Sequence, residues 1–251
     1  MLRVHSLMES ASRRKLLKAA ALAPAATLAP AIAIVPLEAV RTAAAPAQAY
    51  PPNYAEPAVY LTPSERAFVE AAVARIIPND ELGPGAKEAG VAVFIDRQLA
   101  GPFGRAETWY MQGPWRDGAD EQGYQLKLTP ADLYRVAIRE IDEIARRDHG
   151  NKTFAELDAA TQDAMLRALE KGQLKLSAAP ASAFFDILVQ NTIEGFLADP
   201  IYGGNRDFVG WKLIGFPGPR YNYVAEIDQF GKRYDMPFVS IAGRDTSVRG
   251  A

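Results

Sequence analysis

Two stretches, Thr62-Pro63-Ser64-Glu65 and Thr129-Pro130-Ala131-Asp132, each open a run whose apolar residues return every three or four positions. That period commits the chain to packed helices. In the first run, Thr62 can cap the helix, Pro63 suits its first turn, and Glu65 stands where a capping box places its acid. Phe68, Val69, Ala72, Val73, Ile76 and Ile77 then share a face, and the helix should stop before Pro78. A shorter pattern through Val91, Phe94, Ile95 and Leu99 ends at Gly101-Pro102. The second Thr-Pro start directs Leu133, Ala137, Ile138, Ile141 and Ile144 inward, leaving Arg139, Glu140, Asp142, Glu143 and Arg146 on other faces. Two more helices are expected over 159–171, stopped by Gly172, and over 181–197, with Phe184, Phe185, Leu188, Val189, Ile193 and Phe196. Strand signals are confined to Phe238-Val239-Ser240-Ile241. The expected fold is all-α: about five amphipathic helices with long loops rich in Gly, Pro and aromatic residues. Trp109, Tyr110 and Trp115 are expected to pin the loop over 101–128, and segment 198–251 forms an irregular C-terminal arm.

Ahead of this domain, Ser12-Arg13-Arg14-Lys15-Leu16-Leu17-Lys18 precedes an alanine-rich apolar run and the small-x-small site Ala47-Gln48-Ala49. Residues 1–49 read as a twin-arginine signal peptide, with Arg13 and Arg14 addressing the chain to a translocase that carries folded proteins. A retained anchor would need ~20 unbroken apolar residues, and Pro24 and Pro30 interrupt this run. Cleavage near Ala49 is the expectation. Residues 50–60, with Pro51, Pro52 and Pro57, form an extended arm, and 61–251 a single helical domain.

Without the leader, the chain holds 22 Lys/Arg against 28 Asp/Glu. This mild acidity and the lack of a basic block give a nucleic acid or anionic membrane no electrostatic support. Cysteine is absent, so the fold rests on its apolar core. The same absence removes covalent haem attachment, iron–sulfur ligation and a thiol nucleophile. His149 is the single histidine after the leader, and Arg146 occupies the place three residues before it where a di-iron bundle puts glutamate. Gly83-Pro84-Gly85 with Gly90 fails as a dinucleotide fingerprint, because position 88 is Glu88 and no strand precedes it. It fails as a phosphate loop too, because Val91 and Ala92 replace Lys and Ser/Thr. No catalytic, cofactor-binding or metal-binding residue is therefore assigned. Asp199 and Asp207, with Tyr202 and Arg206 between them, could form a polar site. The alternative is that Asp199 and Arg206 tie down a turn.

The segment 199–218, Asp-Pro-Ile-Tyr-Gly-Gly-Asn-Arg-Asp-Phe-Val-Gly-Trp-Lys-Leu-Ile-Gly-Phe-Pro-Gly, carries most of the individuality of the chain. Gly203-Gly204-Asn205 permits positive φ and close backbone approach. Trp211, Phe216 and Pro217 supply apolar area in a segment read as too glycine-rich for a regular helix. They either cover the core or anchor a partner, and composition does not choose between these roles. Tyr202, Asn205, Arg206, Asp207, Trp211, Phe216 and Pro217 are the candidate partner-binding residues.

With the Thr-Pro-Ser-Glu start and Ile76-Ile77-Pro78, this segment resembles the small third (gamma) subunit of gluconate 2-dehydrogenase over about 60–223. The resemblance implies a complex. A large FAD-dependent subunit oxidises a sugar, sugar acid or alcohol, and a multihaem cytochrome c subunit passes the electrons on. The small subunit carries no cofactor or catalytic residue. It supplies the twin-arginine export signal for the flavoprotein and helps it mature; the complex is periplasmic, and the small subunit meets the membrane only through it. Two other readings compete: a self-sufficient exported enzyme with its site around Asp199–Asp207, and a free-standing periplasmic binding or structural protein.

Overall fold

The computed structural model describes residues 58–244, apart from 117, 120, 121, 233 and 235. The expected signal peptide with Arg13 and Arg14, the expected arm up to residue 57 and the tail after 244 lie outside the described residues. Among the described residues there are six α-helices: α1 (Pro63–Ile76), α2 (Val91–Ala100), α3 (Pro130–Asp148), α4 (Ala159–Glu170), α5 (Ala181–Leu197) and α6 (Val209–Ile214). The expected all-α class holds. One short antiparallel pair, β1 (Val239–Ser240) with β2 (Gly243–Arg244), completes the elements.

The helix starts follow from local chemistry. Thr62 forms the full capping box: its side chain accepts from Glu65 N, and Glu65 accepts from Thr62 N at 2.8 Å. Thr129 caps α3 through Asp132 N, and Asp158 caps α4 through Thr161 N. Each such cap contributes about 1 kcal/mol. Gly90, at φ +73, starts α2 in a conformation costly to other residues. Gly172, at φ +63, follows α4 as expected.

Helix α1 lies centrally, touching α2, α3, α4 and α5. Phe68 on it meets Phe154 at 4.6 Å and Phe184 of α5 at 6.2 Å. Tyr134 of α3 sets its edge against Phe184 at 5.3 Å, and its hydroxyl receives Asn191 Nδ2 at 3.1 Å. Burial pushes the Tyr134 hydroxyl pKa well up, so this pair stays neutral and hydrogen-bonded.

Three expectations change. Glu140 and Asp142 are buried, because backbone donors from distant loops satisfy them. Glu140 receives Ser177 N and Oγ, at 2.5 and 2.6 Å, and Asp142 receives Phe154 N at 2.9 Å. Burial pushes Glu140 up, but its bonds to Ser177 and Ala178, with Arg139 nearby, hold it below the ordinary value. In the 101–128 loop, Trp109 packs between Phe103 and Tyr124, whereas Tyr110 is 80% exposed and pins nothing. Segment 198–218 is not wholly irregular, for it contains α6.

Asp96 in α2 is buried and accepts Val59 N, Tyr60 N and Leu61 N at 2.6–2.9 Å. Three donors on one carboxylate fasten the chain entry to the bundle. Asp96→Asn turns one acceptor into a donor facing these N–H groups, and should cost about 1–3 kcal/mol by thermal denaturation.

Candidate functional site

Helix α5 ends without a basic residue in its last turn, leaving terminal carbonyls to be satisfied from outside the helix. Segment 199–218 supplies the donors. Trp211 Nε1 donates to Leu197 O at 2.7 Å, and Asn205 Nδ2 donates to Ala198 O at 2.7 Å. Asn205 Oδ1 in turn accepts Gly210 N at 2.8 Å, so one buried amide joins the end of α5 to the start of α6. The glycines let the two backbones touch. A Cβ on Gly204 would lie 2.0 Å from Gly195 O, and one on Gly210 would lie 1.9 Å from Phe196 O.

The same segment reaches two other places. Arg206 N donates to Ala89 O at 3.0 Å, joining the loop before α2. Asp199 accepts Ile201 N on Oδ1 at 3.0 Å and Ile241 N on Oδ2 at 2.7 Å. Asp199 is buried, and both its oxygens hold backbone groups, which is the tie-down role. Asp207 stands exposed at φ +53, and Phe208 follows at φ +58.

A family model described as gluconate 2-dehydrogenase subunit 3 matches residues 63–218, more than half of the chain. The chain belongs to that family. The match covers the helical body and closes at the end of the α5-capping segment. No curated protein and no solved structure matches the chain.

In this subunit-3 protein the candidate residues separate by burial. Tyr202 is 49% and Phe216 39% exposed, and Asp207 is exposed, so these three face outward. Arg206 and Pro217 are half-buried. Asn205 and Trp211 are buried and cap α5, so they shape the segment and present no side chain to a partner. Trp211 is sandwiched by Phe208, stacked at 5.5 Å, and Phe216, edge-on at 4.9 Å. His149 caps the exposed end of α3. Among the described residues, no group of three His, Cys, Asp or Glu could hold a metal ion, and no helix is long and apolar enough to cross a membrane. Residue spacing did not single out Ile201 or the exposed apolar residues beyond Gly218.

Positive φ at Asp207 stores strain of about 1 kcal/mol. Asp207→Gly should therefore raise stability by about 0.5–1 kcal/mol in a thermal melt. A destabilised Asp207→Gly variant would show that the carboxylate makes a contact outweighing the strain.

Proposed function

We propose that this subunit-3 protein escorts a flavin-dependent dehydrogenase subunit through the twin-arginine route and remains bound to it in the periplasm. Catalysis belongs to the partner, which oxidises a sugar, sugar acid or alcohol on FAD. A multihaem cytochrome c subunit then takes the electrons towards the membrane. Family membership supports a place in such a complex. The Arg13-Arg14 leader supports export in the folded state.

The composition of the chain supports leaving the cofactors with the partners. With no cysteine it cannot attach haem through thioethers, and it lacks the glycine fingerprint of a dinucleotide fold. The observation carrying the proposal is the pairing of a folded-protein export signal with a sequence that has no cysteine and no dinucleotide fingerprint. A tagged chain purified from the periplasm should bring down a flavin-containing dehydrogenase, whereas the chain alone should be colourless and inactive. Substrate oxidation by the isolated chain, lost in Asp207→Asn, would favour an enzyme acting alone.

A further inference from the structure

Beyond the family match the chain leaves the helical body and returns to it, and its two ends are fastened together. Val239 N donates to Pro217 O at 3.2 Å, and Phe238 stacks on Phe208 at 5.9 Å. Val239 O sits so near Gly218, itself at φ +92, that a Cβ there would approach to 1.9 Å. Inside the loop, Tyr223 OH donates to Gly218 O at 2.8 Å and Arg220 donates to Pro237 O. The described residues of 219–238 thus form a loop with a closed neck.

This braced loop turns its apolar side chains outward. Tyr221 is fully exposed, Phe230 is 87% exposed, and Val224, Ile227 and Met236 are more than half exposed. At the neck, Asp199 accepts the backbone N–H of both Ile201 and Ile241, which ties the loop to segment 199–218. Elsewhere among the described residues, Val59 and Tyr110 are the large apolar side chains with comparable exposure.

At about 150–250 Å² per aromatic side chain, Tyr221 and Phe230 alone offer on the order of 300–500 Å². With Val224, Ile227 and Met236, each more than half exposed, the loop offers a good share of the ~800 Å² each partner contributes to a standard interface. Residues 219–241 contain three Lys/Arg and three Asp/Glu, so no net charge draws this loop to an anionic bilayer. The partner that fits is a protein with a complementary apolar groove.

We infer that loop 219–241 is a docking surface for the flavin-dependent dehydrogenase subunit and, lying outside the family match, selects that subunit among related ones. The inference rests on the functional reading above. Its test uses the full chain with Tyr221→Ser, Ile227→Ser and Phe230→Ser together, titrated against the purified flavin-dependent dehydrogenase subunit of the same organism. Hot-spot aromatics set the expected scale: Kd should rise about 100-fold, while the melting temperature stays unchanged because the replaced side chains are exposed.

If the unaltered chain binds and the triple variant binds within about threefold of it, the loop inference fails and the functional reading stands. If the unaltered chain does not bind, both fail. A free-chain homodimer, or flotation with phosphatidylcholine vesicles, that the variant abolishes without weakening flavoprotein binding also overturns the inference. So does unfolding of the variant, since these side chains would then be structural.

Discussion

Asn205→Ala is expected to cost about 3–5 kcal/mol, the sum of two buried backbone groups left unpaired and an alanine forced to φ +46. The two closest groups are Ala198 O and Gly210 N, which the Asn205 amide joins; Trp211 N also reaches Asn205 Oδ1, at 3.4 Å. At 2–4 °C per kcal/mol for a chain of this size, the melting temperature should drop by roughly 6–20 °C. The near-ultraviolet signal of Trp211 should weaken too, because α6 loses its tether. Asn205→Asp is the informative companion: it keeps the acceptor for Gly210 N but sets a buried carboxylate oxygen against Ala198 O, so at neutral pH it should cost at least as much as Asn205→Ala. An Asn205→Ala variant within about 0.5 kcal/mol of the parent would contradict the capping role.

Gly204→Ala should have an effect as large from a different cause. The added carbon would lie 2.0 Å from Gly195 O, with Gly195 C and Cα at 2.8 and 3.1 Å, and no flexible side chain can yield. Segment 199–218 must lift from α5, at a cost above about 4 kcal/mol or with loss of folding. Gly215→Ala separates crowding from backbone strain. Gly215 is at φ +76 with open space around it, so its cost should be only about 1 kcal/mol. Equal costs in thermal and urea denaturation would show that close approach is not what Gly204 provides.

The helices were legible because their signals are local. Thr62 and Thr129 lie within four residues of the groups they cap, and Phe68 to Ile76 repeat on one face. Helical periodicity does not place Glu140 and Asp142 inside, because it assigns charged residues outward. Their donors, Ser177 N and Phe154 N, come from loops that helical spacing cannot locate. The same limit applies to segment 199–218. Its glycines announced close approach, but whether Trp211 faced inward depended on Leu197 O, 14 residues earlier. Helix α6 leaves no helical period in the sequence because it is only six residues long, entered from Phe208 and left at Gly215, both at positive φ. Exposure of loop 219–241 was invisible for a related reason. Its outward side chains depend on a neck closed between Pro217 and Val239.

The export role is tested most directly by replacing Arg13 and Arg14 with Lys in the full chain and locating the flavoprotein by cell fractionation. The leader-dependent route should then leave the flavoprotein in the cytoplasm, with periplasmic dehydrogenase activity lost. Flavoprotein reaching the periplasm in undiminished amount, with no other carrier present, would contradict the account.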